Sequence, residues 1–370
     1  MKKIEDYYVP WIKDIPMFGV KLVDLAWTDA SLGRMMTNEG PFPPSKAVLD
    51  AIEKYSKMGN SYLDQGVALR KRLAELNGLE DEGNVLLGNG SSEVVDMIWR
   101  SFIVPQVDEV IQQPPCFAIY KLRAAITGAK LVSVPMKLEN KKLEFDPDGI
   151  LKAITPKTKI IAVTNPNNPS GNFMPEKDFR RIAETGIPFL IDEAYIEFAM
   201  DKTLVKLVKE YPNVMVSRTM SKAYGLAGLR LGYLLAGKHL IKQISSTVIP
   251  WNISTITAWA CLAAVNDQAT LKERVDHNNQ QVKWITEELG KIPGLIILES
   301  YGNYILMESS DAGFVAKDAC DYVLKTRKCI IKPEDNIAGR TNWFRISIST
   351  TENNKKVVEG IKEFIAKNKK

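Results

Sequence analysis

Lys222 sits in the run Ser217-Arg218-Thr219-Met220-Ser221-Lys222-Ala223-Tyr224-Gly225-Leu226-Ala227-Gly228-Leu229-Arg230. An amine flanked by hydroxyls and small residues, with a guanidinium eight positions on, suits a covalent bond to a carbonyl compound that also carries a phosphate. Lysine bonds carbonyls as a Schiff base, and arginine's planar fork grips phosphate two bonds at a time. Most lysines are only solvated surface charges, so this segment acquires meaning from three others.

The first is Leu86-Leu87-Gly88-Asn89-Gly90-Ser91-Ser92-Glu93, which reads as a strand, a glycine turn and a helix start. Free backbone N–H groups at a helix N-terminus bind phosphate, and the hydroxyls of Ser91 and Ser92 add donors. The third glycine of a dinucleotide fingerprint is missing, which argues against NAD. The second is Thr164-Asn165-Pro166-Asn167-Asn168-Pro169-Ser170-Gly171, a rigid turn after an apolar run that aims an asparagine amide beyond a strand's end. In the third, Phe189-Leu190-Ile191-Asp192-Glu193-Ala194-Tyr195, Asp192 closes an apolar strand. A carboxylate there is costly to bury without a cation. A protonated pyridine nitrogen would serve as that cation, and Tyr195 could reach the same ligand. Each segment alone also admits a plain structural reading, as a capped helix, a loop and a helix cap.

These side chains need a scaffold. From about residue 60 to 240, short apolar runs alternate with amphipathic stretches, the pattern of an α/β layer fold. The runs predict strands at Asn84–Leu87, Glu109–Gln112, Lys130–Val134, Lys159–Val163, Pro188–Ile191, Asn213–Val216 and Leu231–Ala236. A helix is predicted over Val67–Leu76, where Leu69, Leu73 and Leu76 share a face. Runs such as Ile160-Ile161-Ala162-Val163 do not alternate, as expected of strands covered on both sides. After about 250 the helices lengthen, with strands expected near Leu295–Leu298, Tyr304–Glu308 and Phe344–Ile348, and a last helix over Glu352–Ala366. The reading is an N-terminal segment (1–55) packing with the small domain, a large domain (56–265) and a smaller α+β domain (266–370).

The chain of 370 residues is 45% hydrophobic and 25% charged, an ordinary globular composition. Its net charge of +5 is small and scattered, and the Lys367–Lys370 tail reads as a frayed end, which argues against a nucleic-acid partner. Cys116, Cys261, Cys320 and Cys329 lack paired short spacing and read as reduced thiols of a cytoplasmic protein. No signal peptide or membrane span is expected. With only His239 and His277, a His-based metal site and Ser-His-Asp catalysis have little support, and no metal is expected.

Taken in order, Asn-Pro-x-Asn-Pro-x-Gly, Asp-Glu-Ala-Tyr and Ser-Lys-Ala-x-Gly-Leu-Ala-Gly-Leu-Arg resemble the fold-type I pyridoxal-phosphate enzymes of aminotransferase class I/II, and among them the histidinol-phosphate aminotransferase group. The resemblance runs from Asn38-Glu39-Gly40-Pro41 to Arg345-Ile346-Ser347-Ile348-Ser349-Thr350. It implies a mainly parallel seven-stranded sheet flanked by helices, with a smaller α+β domain, and pyridoxal 5'-phosphate as cofactor. Lys222 would hold the cofactor and shuttle the proton between the substrate's α-carbon and the cofactor. Asp192 would pair with the pyridinium nitrogen, while Asn168 and Tyr195 would bond the ring oxygen. Ser91, Ser92, Thr219, Ser221 and Arg230 would hold the phosphate, and Phe117 would stack on the ring. Tyr62 would reach the phosphate of a neighbouring subunit, which implies a homodimer. Arg345 would fork the substrate carboxylate or its equivalent.

Departures from the family pattern gather where substrate belongs. Gly40 replaces the second asparagine of Asn-Glu-Asn-Pro, Leu63 stands in Tyr62-Leu63-Asp64 for a proline, and Phe117 stands for a tyrosine. Lys332, thirteen residues before Arg345, stands where histidinol-phosphate enzymes carry an arginine for the substrate phosphate, and Ser349 replaces a glycine. Thr28 and Asp29, in Trp27-Thr28-Asp29-Ala30-Ser31-Leu32, offer polar groups near the expected substrate entrance. The main expectation is an aminotransferase acting on an amino acid or amino alcohol phosphate and a 2-oxo acid. A second is elimination or cyclisation of an amino acid such as a hydroxylated arginine, of the capreomycidine or enduracididine type, since acidic residues near the entrance would suit a guanidinium. A third, a non-catalytic sensing module, would need a DNA-binding domain for which the short N-terminus leaves no room.

Overall fold

Seven apolar runs pair into one sheet in the structure, a computed structural model that describes residues 2–15, 19 and 21–368. In chain order they are β1 (Val85–Asn89), β2 (Glu109–Gln112), β3 (Lys130–Ser133), β4 (Thr158–Thr164), β5 (Phe189–Asp192), β6 (Val214–Thr219) and β7 (Leu231–Ala236). The spatial order is β1-β7-β6-β5-β4-β2-β3. Neighbours run parallel except β7, which opposes both β1 and β6. Successive residues of each strand enter opposite cores. Ile161, Val163, Ile191 and Val216 face one set of helices, including Val67–Leu76 and Thr255–Asn266. Ile160, Ala162, Leu190 and Met215 face the other, with Ser91–Phe102 and Ile119–Thr127. Two apolar faces are why these strands read as unbroken hydrophobic runs.

A second sheet is antiparallel, with β8 (Ile296–Ile297), β9 (Tyr304–Glu308), β10 (Lys332–Glu334) and β11 (Trp343–Ser347) in the order β8-β9-β11-β10. Helices Gln268–Leu289, Ala316–Arg327 and Thr351–Asn368 cover it through Ile285, Val323, Phe344, Ile346, Val357 and Ile361. The N-terminal segment divides its packing between the two sheets. Gly33–Arg34 adds a short parallel pair to Cys329–Ile330 on the small-sheet side. Helix Lys46–Ser56 instead sends Val48 into the core of the large sheet and stacks Tyr55 on Trp259 at 4.4 Å. Of the expected tail, Lys369 and Lys370 lie outside the described residues.

The strands that sequence patterning misses are short. Gly33–Arg34, Cys329–Ile330, Lys332–Glu334 and the hairpin Lys137–Glu139/Lys142–Glu144 hold two or three residues each, too few to show a period. Pro333 speaks further against a strand, but β10 lies at the sheet edge, where a missing N–H is tolerated. Among the described residues no helix is long and apolar enough to cross a membrane.

Candidate active site

The loop between β6 and β7 carries Lys222. Because β7 turns back beside β6, the segment from Thr219 to Leu231 is held at both ends by paired strands. Lys222 Nζ donates to Thr37 O at 3.1 Å and lies 5.5 Å from the centre of the Tyr195 ring. Burial and the Arg345 guanidinium, helped by Arg230, pull this amine down to about 8 against the opposite pull of Glu39 and Asp192. Gly40 packs on the lysine loop, where an added Cβ would stand 2.9 Å from Gly225 Cα. Its missing side chain therefore permits a close approach of two backbones.

The carboxyl ends of β4, β5 and β6 form the floor. Register sets Thr164 beside Asp192 and Asp192 beside Ser217. Asp192 is buried; Tyr120 donates to its Oδ2 at 2.6 Å and the Ala194 N–H to its Oδ1 at 3.2 Å. Burial pushes this carboxyl above its ordinary range, even though both bonds favour the ionised form. Among the described residues no cation bonds it. Glu193, the next residue, has its own buried partner in Arg218 at 2.8 Å. Asn38 Nδ2 donates to Tyr195 Oη at 3.0 Å, and burial pushes this phenol up to about 12.

At one edge of this floor, helix Ser91–Phe102 begins at Gly90, whose φ of 75° is in the left-handed region. A Cβ on Gly90 would collide with Arg230 Nη2, so the guanidinium lies against the helix start. Thr219 Oγ1 and Ser221 Oγ are 3.0 Å apart, with the Ser221 N–H donating to Thr219 Oγ1 at 3.2 Å. Phe117 is half-buried, with its ring edge-on to Tyr120 at 6.2 Å between centroids.

The opposite edge comes from the small sheet. Arg345 Nη1 donates to Asn168 Oδ1 at 2.6 Å and Nη2 to Met36 O at 3.1 Å, while Nε is 3.3 Å from Glu334 Oε1. One N–H on each terminal nitrogen stays uncommitted among the described residues, enough to fork a carboxylate. Lys332 Nζ binds Glu334 Oε2 at 2.7 Å. In the N-terminal segment, Arg34 holds Glu39 through two bonds of 2.8 and 2.9 Å.

The structure thus brings together Lys222, Asp192, Tyr195, Asn168 and Arg345, with Ser91, Arg230, Thr219 and Ser221 at the helix end. Thr28 is not drawn into this cluster, and Tyr62, expected at a neighbouring subunit's site, lies outside it. Thr28 ends helix Lys21–Thr28 and is exposed, its hydroxyl donating back to Leu25 O at 2.7 Å. Tyr62 is 78% exposed and stacks on Trp251 at 4.3 Å. Sequence reasoning missed Tyr120, Asn38 and Glu334 as site residues. Tyr120 follows Phe117 by one helical turn, a spacing that could have flagged it. Glu334 follows Lys332 by two residues, which a strand reading would have put on the same face.

Comparison with known proteins agrees with this geometry. The family described as aminotransferase class I and II matches residues 32–361. A histidinol-phosphate aminotransferase of Cytophaga hutchinsonii is 35% identical over 314 residues, covering 83% of this chain and 87% of that protein. Its counterpart in Methanosarcina mazei is 35% identical over 331 residues, 89% of this chain and 87% of that one. The crystal structure of histidinol-phosphate aminotransferase from Sinorhizobium meliloti in complex with pyridoxal-5'-phosphate superposes with a TM-score of 0.85 at 25% identity, covering 98% of both chains.

Proposed function

The chain belongs to the aminotransferase class I and II family, and from that premise we propose how its residues divide the work of a pyridoxal-phosphate-dependent amino-group transfer of the histidinol-phosphate aminotransferase type. The residues present fit that cofactor. A buried carboxylate without a cation suits a protonated ring nitrogen, and a helix N-terminus backed by a guanidinium suits a phosphate. Bound pyridoxal 5'-phosphate supplies an aldehyde that accepts the amino group and a ring that withdraws electrons from the substrate's α-carbon.

Lys222 Nζ holds the cofactor and moves the proton at the substrate's α-carbon. Its amine, pulled down to about 8, gives up its proton more readily than an ordinary lysine, as a general base must. Asp192, steadied by Tyr120 and the Ala194 N–H, would pair with the protonated ring nitrogen. Asn168 and Tyr195 would bond the ring oxygen, and Phe117 would cover the ring. Ser91, Ser92, Arg230, Ser221 and Thr219 hold the phosphate. Arg345 forks the substrate's anionic group, with Lys332 as a second cation. Gly40 admits the lysine loop, and Thr28 stays at the rim.

The single observation that carries this reading is that one strand-held loop bears both the amine and a guanidinium lying against a helix N-terminus, beside a buried carboxylate that lacks a cation among the described residues. The cyclase alternative gains no such support. The carboxylates Glu39 and Glu334 are already held by Arg34, Lys332 and Arg345, so neither is free for a guanidinium substrate. We also read the protein as a cytoplasmic homodimer with boundaries near 1–55, 56–265 and 266–370. Exposed Tyr62 on Trp251 supports the dimer, and four free cysteines support the compartment. The test is titration of the cofactor-loaded protein with amino donors. Loss of the cofactor's visible band together with release of a 2-oxo acid is expected. A donor that is consumed without any 2-oxo acid would refute transamination.

A further inference from the structure

Lys332 and Glu334 are two apart on edge strand β10, and Lys332 is the register partner of Arg345 on β11. Alternation therefore puts all three side chains on one face of the small sheet. Glu334 lies between the two cations, with Oε2 at 2.7 Å from Lys332 Nζ and Oε1 at 3.3 Å from Arg345 Nε. The side chains of Glu334 and Arg345 are 12% and 8% exposed, so water screens their charges weakly. Arg345 Nε and Glu334 Oε1 are buried and make no well-directed hydrogen bond. Their attraction is one of charge, and Nη1 and Nη2, which donate to Asn168 and Met36, each keep one N–H uncommitted among the described residues.

The consequence is a count of charges. Two cations and one carboxylate leave the anion-binding end at +1. A substrate carboxylate brings that end to neutrality. A phosphate monoester, close to −2 at neutral pH, would add two negative charges beside Glu334 and leave the end at −1.

We propose that Glu334 is a specificity-determining residue, which sets this site to take the single negative charge of an α-carboxylate in preference to the double charge of a phosphate monoester. Among the donors of the transfer proposed above, α-amino acids are then favoured over amino alcohol phosphates. This rests on the aminotransferase function proposed above and narrows its substrate class.

The test uses the cofactor-loaded protein and its Glu334→Gln and Glu334→Asp variants at pH 8. Inhibition by inorganic phosphate and by acetate is measured on the half-reaction with the best amino donor. L-histidine and L-histidinol phosphate, which share an imidazole, are then compared as donors by kcat/KM. Glu334→Gln is expected to improve phosphate over acetate by about tenfold and to shift the donor ratio toward histidinol phosphate. Glu334→Asp, which keeps the charge, should hold the wild-type ratios. Each ratio is taken within one protein, so loss of folded material cancels. Ratios unchanged in Glu334→Gln overturn the proposal while amino transfer itself stands. Absence of transfer from every donor in the wild-type protein overturns the functional reading, and the proposal with it.

Discussion

At the large-sheet end of the site, Asp192 is buried without a cation and Arg230 lies over a helix start. At the small-sheet end, Arg34 is paired with Glu39, and Glu334 is shared by Lys332 and Arg345. The first region holds its charges apart, so a ligand carrying both a cation and an anion completes it. The second has largely neutralised itself, so an incoming anion must compete with a resident carboxylate. Rigid strand ends can keep unpaired groups in place because their backbones are fixed by the sheet. At the edge strand and in the N-terminal segment, opposite charges are instead paired with one another. The cofactor's place is therefore built in advance, while the substrate's place is an exchange of partners.

The largest test of this contrast is Lys222→Ala, expected to lower single-turnover amino transfer by about 10⁴-fold or more. A loss below about a hundredfold would remove the strand-held loop from the chemistry. Asp192→Asn comes next, with turnover falling by about 10²–10³-fold. Its second readout is thermal unfolding of cofactor-free protein against pH. The Asp192 carboxyl has a folded pKa raised by burial, so its contribution is fully present below the unfolded value and fades as pH rises through the folded one. The asparagine variant should lose that part of the pH dependence; an unchanged profile would show that the carboxylate is not under strain.

The pH profile of cofactor capture sharpens the contrast further. Association of pyridoxal phosphate with cofactor-free protein should quicken with rising pH and be half-maximal near the Lys222 value of about 8. Arg345→Met should shift that midpoint upward, because its guanidinium helps hold the amine down. A midpoint that ignores Arg345 would separate the two ends electrostatically. The smallest effect is expected of Lys332→Ala, because half-exposed Lys332 spends its charge on Glu334. A fall in kcat/KM of about three- to tenfold is expected, and a loss as large as that of Asp192→Asn would mean the small-sheet end is no less committed than the floor.

Much of the large-sheet end was legible in the sequence because its strands are covered on both faces. Ile160-Ile161-Ala162-Val163 and Phe189-Leu190-Ile191 announce themselves as buried runs, and Asp192 then stands out at the end of one. The loop from Thr219 to Arg230 was legible from its residue types alone. At the small-sheet end Arg345 and Lys332 were read, but Glu334 and the contacts around them were not, for physical reasons that can be named. Pro333 in a three-residue strand hid the alternation that puts Glu334 beside Lys332. The partner of Arg345, Met36, comes from the opposite end of the chain, where no periodicity links them. Thr28 looked like a substrate ligand because hydroxyls near a site attract that reading, yet its local helix takes the hydroxyl. Short-range hydrogen bonds of this kind compete with function at every exposed threonine.

The position of β7 between β1 and β6 has a consequence for how the protein is made. As the chain is synthesised, β1 appears more than a hundred residues before β7. Until residues 231–236 arrive, β1 has no neighbour in the sheet, because its one partner there is β7. The same strand brings Arg230 to Gly90, whose N–H donates to Arg230 O at 2.9 Å. The meeting of Arg230 with the helix start and the final closure of the sheet are thus a single event. A ligand that binds only the closed chain stabilises it by mass action, so capture of the cofactor by a nascent molecule marks the moment β7 slots in between β1 and β6.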